Sequence, residues 1–484
     1  MTSSVQNSNS SKPILENQIT ERHSMDSQYP PLVSDRSELT IALLPWGDLF
    51  EDHFDPLGVS LETFRNEFTG SYQFGYIEAL RLAGVRTVLF YVSARISTTL
   101  RFTHIPSGTT VCVLPASKIH RAYRACRSVR RRMLNLDGEF SNTHSAHDSH
   151  PSLLTSIKSA ASSIGTYLST PLGLLARELR REGCDAILCQ EYEYARFDTC
   201  VLLGQLMRLP VFATFQGGNK QQSFVEYPVR SLALRKCTSL IIATQTEMTR
   251  VRTCYKVPST KMARIFNPVD VEAWRAIDRN EARAGLEIPI NARVVVWHGR
   301  VEIERKGLDV LLEAWDQICC QRPETDLRLL LVGTGSNANE LHQRITNMQL
   351  RGVLRVDEFV NDRTVIQRYL SAADVYTLPS RHEGFPVAPV EAMACGLPVV
   401  ATDAPGVLDI FQAGEASGGL IVPRNDVQAL ASALGRVLDD EVWGRELGKL
   451  ARHRAEECFS LLAIGKQLRN FLLSQKAPLD MTQR

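Results

Sequence analysis

Two carboxylates, Glu383 and Glu391, stand eight positions apart in a run that reads Ser380-Arg381-His382-Glu383-Gly384-Phe385-Pro386 and then Val390-Glu391-Ala392-Met393-Ala394-Cys395-Gly396. A carboxylate accepts hydrogen bonds from two vicinal hydroxyls at once, and bonds to a charged acceptor are the strong ones. Glu383 falls in a loop of Pro, Ser and Gly, and Glu391 in an apolar, Ala-rich helical stretch that stops at Gly396. Asp374 to Leu378 before them and Pro398 to Thr402 after them read as buried strands. The unit is therefore strand, loop, helix, strand, with one acid at the carboxyl end of a strand. Eight residues are about 2.2 helical turns, so Glu391 projects roughly 80° round from the helix start and reaches the same crevice. In parallel α/β sheets that edge is where ligands bind. Taken alone, such a pair also describes two solvated surface acids.

Cations supply the second half of the pattern. His298-Gly299-Arg300 follows the strand Val294 to Trp297, and after five intervening residues comes Lys306-Gly307. Together the two elements resemble the E-x7-E and G-R…K-G signatures of retaining glycosyltransferase family 4, whose enzymes have the GT-B fold. The resemblance is nearly continuous from Val294 to Pro423 and looser over the first half, beginning near Ile41. It implies that Glu383 lies beside the donor's hexose and phosphate, that Glu391 takes the ribose hydroxyls, and that Arg300 and Lys306 grip the diphosphate. Glu383, Arg300 and Lys306 are then the catalytic set. The amides of Gly384 and Phe385 fall on phosphate or sugar, and Pro386 opens a helix whose positive end faces an anion. Gly299, Gly333 in the turn Val332-Gly333-Thr334-Gly335, and Phe359-Val360 complete the implied donor site, with Gly70 reaching it from the first half. Gln216 occupies a slot that is His in many relatives and contacts the sugar; an amide donates and accepts but carries no protonic charge. Glu191, within Gln190-Glu191-Tyr192-Glu193-Tyr194, either receives a polyol acceptor or belongs to an edge loop without a role. The interval between Arg300 and Lys306 is one residue longer than the pattern leads one to expect.

The implied chemistry needs fixed positive charge, because a nucleoside diphosphate leaves as the glycosidic bond breaks. No D-x-D pair occurs in the chain, so a cationic side-chain solution is expected, with no metal and no cofactor beyond the nucleotide sugar. The expected activity is metal-independent, retaining transfer of a hexose from a GDP- or UDP-sugar to a carbohydrate, lipid or small-metabolite hydroxyl. A GT-B sugar-nucleotide epimerase, a disaccharide phosphorylase and a catalytically silent partner subunit share these features. A dinucleotide-dependent oxidoreductase does not, since no G-x-G-x-x-G follows the first strand of either half.

The elements that must position these residues alternate strand and helix, which means βαβ units and parallel sheets. Strands are expected at Leu39 to Pro45, Val85 to Val92, Ala186 to Leu188, Pro210 to Thr214 and Ser239 to Ala243. The rhythm restarts at Arg293 to Trp297 and continues through Leu329 to Val332, Leu354 to Val356, Val375 to Leu378, Pro398 to Ala401 and Gly419 to Val422. The fold class is α/β, two doubly wound Rossmann-like domains facing a cleft. The divisions are a polar, disordered tail 1–37, an acceptor-side domain 38–267 with an insertion about 117–181, and a nucleotide-sugar domain 268–455. A last segment, 456–484, ends one long helical pattern from Glu441 to Gln475 and returns to the first domain, as the resemblance implies. A net charge of +2 gives no case for nucleic acid as a partner. No apolar run approaches the ~18 residues that span a bilayer, and the first forty residues lack a signal core, so a cytoplasmic protein is expected. The basic segment 117–134 either touches an anionic membrane or is a solvated flap. The spacing of His144, His147 and His150 in the loop 141–152 lacks the framework of a metal site.

Overall fold

Runs such as Thr40-Ile41-Ala42-Leu43-Leu44 and Leu327-Arg328-Leu329-Leu330-Leu331-Val332 have no polar–apolar alternation because helices cover both faces of the strands they form. The computed structural model describes residues 39–45, 47–69, 72–124, 165–217, 223–360 and 362–475. The tail 1–37, Gly70, the loop 141–152 and most of the basic segment 117–134 lie outside the described residues.

The strands of the first half are β1 (Thr40–Leu44), β2 (Arg86–Ser93), β3 (Leu100–Thr103), β4 (Thr110–Pro115), β5 (Ala186–Cys189), β6 (Val211–Thr214), β7 (Ser239–Ile241) and β8 (Met262–Ala263). They form one sheet in the order β3-β4-β2-β1-β5-β6-β7-β8, parallel except for β3. The second half contributes β9 (Arg293–His298), β10 (Leu327–Val332), β11 (Val353–Val356), β12 (Val375–Leu378), β13 (Val399–Thr402) and β14 (Gly419–Val422). These are all parallel, in the order β11-β10-β9-β12-β13-β14. The chain reverses its direction of travel between β1 and β5 in one sheet and between β9 and β12 in the other. At such a reversal the two outgoing loops part and leave a crevice.

Every strand expected from the sequence is present, and three more appear. The three not expected are β4, buried from Val111 to Leu114, β3, an edge strand with all four residues at least partly exposed, and β8, which has two residues. The long terminal helix is a correction: it is two helices, Glu441–Cys458 and Leu461–Ser474. Ser460 breaks it, adopting an extended backbone and capping the second helix by accepting from the Ala463 amide at 3.3 Å. The second helix packs on Tyr72–Leu82 of the first half. Gly465 makes that approach possible, since a Cβ there would strike the Ala79 carbonyl oxygen.

The chain passes between the two halves twice, and the passes run side by side. Val269 and Ser460 pair as a parallel bridge, and the Val269 amide donates to the Phe459 carbonyl at 2.8 Å. Phe266, Phe385 and Phe459 pack around this crossing with ring centroids 5.0 to 5.9 Å apart. Asp409 of the second half accepts from the Gln245 amide at 3.1 Å and from Arg264 at 2.5 Å in the first.

Gly465→Leu should lower the melting temperature by several degrees, because forcing a side chain into a closed contact costs about 1–3 kcal/mol. Thermal unfolding followed by circular dichroism checks this, with exposed Leu462→Ser as the control that leaves the transition in place.

Candidate active site

Glu383 is 5% exposed, so its charge needs partners. Lys306 Nζ donates to Oε1 at 2.7 Å, the Ser380 hydroxyl donates to the same oxygen at 2.7 Å, and Arg305 Nη2 stands 3.8 Å from Oε2. These four residues come from both sides of the β9/β12 reversal: Ser380 and Glu383 from the loop after β12, Arg305 and Lys306 from the turn after β9. That turn is the short helix Ile303–Lys306, closed by Gly307 with φ 62°, where the Pro379 carbonyl leaves no space for a Cβ. Arg381 ties the two loops again through both oxygens of Asp309 at 2.8 Å each. The Arg381 amide also donates to the Arg305 carbonyl at 2.9 Å.

Arg300 behaves differently. Its side chain is 71% exposed, and Glu302, 3.6 Å away, is its ion-pair partner. It faces the first half, because burial and then the Arg300 guanidinium hold His53, in the helix Phe50–Phe54 after β1, below the ordinary imidazole range. Glu391 is also engaged: Oε2 lies 3.0 Å from His298 Nε2, while His298 Nδ1 is buried without a partner. With Nε2 as the donor, the pair fixes the carboxylate's orientation.

The helix carrying Glu391 spans Ala388–Ala394, with Pro389 in its first turn. Pro386 therefore precedes it rather than opening it, and the helix has two turns, not the longer run expected. Gly384 and Phe385 belong to the loop. The Phe385 ring is buried in the aromatic crossing, which anchors that loop. Gly384 meets Gly217 of the first half backbone to backbone, so neither position admits a Cβ. A Cβ on Gly333 would strike the Gly299 carbonyl oxygen, so that approach also requires a glycine. Phe359, after β11, is 57% exposed, and Val360 is half-buried beside it.

On the facing half, Gln216 is locked by its neighbours. Its amide nitrogen donates to Thr214 Oγ1 at 2.9 Å, its oxygen accepts from Asn267 at 3.0 Å, and Tyr76 donates to Asn267 at 2.8 Å. Its backbone amide donates to Glu191 Oε2 at 3.0 Å. Glu191, at the β1/β5 reversal, is 3% exposed with φ 137°, a conformation that costs energy for a residue with a Cβ. Burial first, and then the Glu193 carboxylate, push its carboxyl up to about 8. Glu193 is answered by Arg250 at 3.2 Å. Sequence reasoning missed Ser380, Arg305 and the His298–Glu391 bond. The first two adjoin the residues it chose, and His298 ends the strand that leads to Arg300.

Residues 292–440 match a family model described as "Glycosyl transferases group 1". A D-inositol 3-phosphate glycosyltransferase of Corynebacterium aurimucosum is 35% identical over 192 residues, 39% of this chain and 45% of that protein. A GDP-mannose-dependent mannosyltransferase of Corynebacterium glutamicum, acting on a monoacylated phosphatidylinositol monomannoside, is 29% identical over 45% of this chain and 56% of its own length. The chain thus spans about half the length of these curated relatives. Among solved structures, HepE of Anabaena in complex with UDP superposes with a TM-score of 0.62 at 18% identity, over 90% of this chain and all of that one. The fold is GT-B.

In the folded protein Glu191 keeps its proton up to about pH 8, whereas in the unfolded chain it loses it near 4.5. The stability tied to that proton is therefore full below about 4.5 and is lost as pH rises through about 8. Glu191→Gln, which cannot ionise, should gain melting temperature relative to wild type as pH rises from about 4.5 to about 8 and hold that gain above it. A difference that stays constant with pH would show that Glu191 is ionised throughout.

Proposed function

We propose that the chain is a metal-independent, retaining glycosyltransferase that moves a hexose from a nucleoside diphosphate sugar to a hydroxyl of a carbohydrate, lipid or small metabolite. The observation that carries this reading is the buried Glu383 carboxylate held by Lys306 and Ser380 at the β9/β12 reversal, with the exposed cation Arg300 on the same edge.

In this reading Glu383 orients the hexose. Lys306 has three donors and spends one on Glu383, so the others are free for the β-phosphate. Arg300, barely engaged in the protein, closes on the same diphosphate with a planar fork. The bond from the sugar's anomeric carbon to the β-phosphate oxygen breaks, and its electron pair goes to phosphate. The acceptor oxygen attacks from the same face, and its proton passes to the departing phosphate, so no protein nucleophile is needed. Fixed cations stabilise the charge that develops, which is worth about two to three decades in rate per contact. Glu391, steadied by His298, receives the ribose diol. Glu191 and the backbone of Gln216 and Gly217 line the acceptor side. A UDP or GDP donor is supported by the names of the relatives and of the UDP-bound neighbour. The locked carboxamide of Gln216 favours a second reading, a binding subunit without turnover.

Thermal stabilisation by UDP, GDP, ADP and their hexose derivatives tests the site. A nucleotide at 100 times its Kd should add about 2.7 kcal/mol. Lys306→Ala strands a buried carboxylate, so Arg300→Ala, at an exposed position, is the cleaner variant. It should keep the wild-type melting temperature, lose most of the nucleotide shift and, with the donor so identified, lower turnover about 100- to 1000-fold. No shift with any nucleotide would overturn the reading; a shift without turnover would favour the silent subunit.

A further inference from the structure

The strands of the second sheet are parallel, so their amino ends share the edge opposite to the one that carries Glu383. Arg293 opens β9, Asp374 precedes β12 and Pro398 precedes β13. On that edge lies a cavity of about 160 Å³, far more than a single water needs. Residues of the helices Arg279–Gly285, Arg363–Ala372, Val427–Asp439 and Glu441–Cys458 complete its wall. Leu370, Leu397, Val437 and Leu438 give it an apolar floor.

The polar part of the wall is cationic. The guanidinium groups of Arg445, Arg293 and Arg279 lie 2.6, 3.0 and 3.8 Å from one carboxylate, that of Glu441. Arg279 also meets Asp374, which accepts from Arg283 at 3.0 Å and from the Val294 amide at 2.7 Å. Four cations thus surround two carboxylates, an excess of two positive charges. The other acids nearby are spent. Asp278 and Asp440 cap helices by accepting from the Glu281 and Trp443 amides at 2.9 Å each, and Asp439 takes Arg322 at 2.6 Å. Burial, opposed by Asp374 and reinforced by the charges of Arg279 and Arg293, holds the Arg283 guanidinium below its ordinary range.

Donors are left over as well as charge. Arg279, Arg293 and Arg445 each hydrogen-bond through a single nitrogen, so most of their N–H groups are uncommitted. Ser371, on the cavity wall and 6% exposed, accepts from the Ile277 amide at 3.1 Å, and no acceptor among the described residues takes its hydroxyl proton.

We infer that this cavity binds a phosphate group, that of the free ion or of a small organic phosphate. A guanidinium presents a planar fork that matches phosphate oxygens in pairs. A phosphate dianion balances the excess charge, Ser371 donates to one of its oxygens, and the apolar floor receives the organic part of an ester. The cavity lies at the other edge of the sheet from Glu383, so the inference goes beyond the reading of the cleft and does not depend on it.

Titration calorimetry of the full chain with inorganic phosphate tests it, at fixed ionic strength and about pH 8, where phosphate is doubly charged. Wild type should bind phosphate saturably, and Arg300→Ala, altered in the cleft, should bind it equally well. Arg293→Gln with Arg445→Gln should weaken binding about tenfold or more. Ala276→Trp, at an exposed position on the cavity rim, leaves every cation in place and should weaken binding as much by filling the space. Absence of saturable binding to wild type would overturn the inference. So would loss of binding in Arg300→Ala with retention in the other two variants, which would give the phosphate to the cleft. Phenyl phosphate, titrated alongside, separates the sources: tighter binding than inorganic phosphate supports an organic phosphate, and weaker binding supports the free ion.

Discussion

The site is organised by one electrostatic constraint. A carboxylate almost withdrawn from water at the end of β12 is stable only beside a cation, and Lys306 provides it from the turn after β9. That requirement dictates the neighbouring geometry. The turn must close tightly, which Gly307 permits, and the β12 loop must lie flat against it, which the Arg381–Asp309 fork enforces. Two loops that leave a sheet at its reversal would otherwise part; here they are joined by charge.

A second constraint is the closeness of the two halves. Gly384, one residue from the buried acid, touches Gly217 backbone to backbone, and Gly217 follows the residue whose amide binds Glu191. The buried carboxylates of the two halves are therefore linked through one short path of main chain. One is neutralised by a lysine and the other is held protonated by its surroundings, so the crevice faces carry different electrostatics within a small space. Tyr76 and Asn267 fix the Gln216 side chain in the path, which keeps the Glu191 contact in register.

The fold class was legible because both sheets are built of continuous apolar runs separated by helical periods, and such runs have few alternatives. The edge strand β3 was not, since a short, exposed, Arg-containing segment resembles a loop. The break at Ser460 escaped notice because helical periodicity continues across it, and only the capping bond reveals the stop. At the site, Lys306 and Glu383 were implied by the resemblance of their motifs, but the motifs do not show that the two residues bond each other. Nor do they show that His298 holds Glu391 or that Glu191 is strained. Those facts depend on which side chains are buried together, and burial is a property of the assembled sheets.

The paired passage of the chain at Val269 and Ser460 has a mechanical consequence. A single flexible connection lets two bodies swivel about several axes, but two strands hydrogen-bonded to each other behave as a leaf hinge. Twisting and sliding would shear that bond and the aromatic packing around it, whereas bending across the strands leaves both intact. Of the relative movements of the two halves, the one that widens or narrows the crevice is thus the least opposed by this crossing.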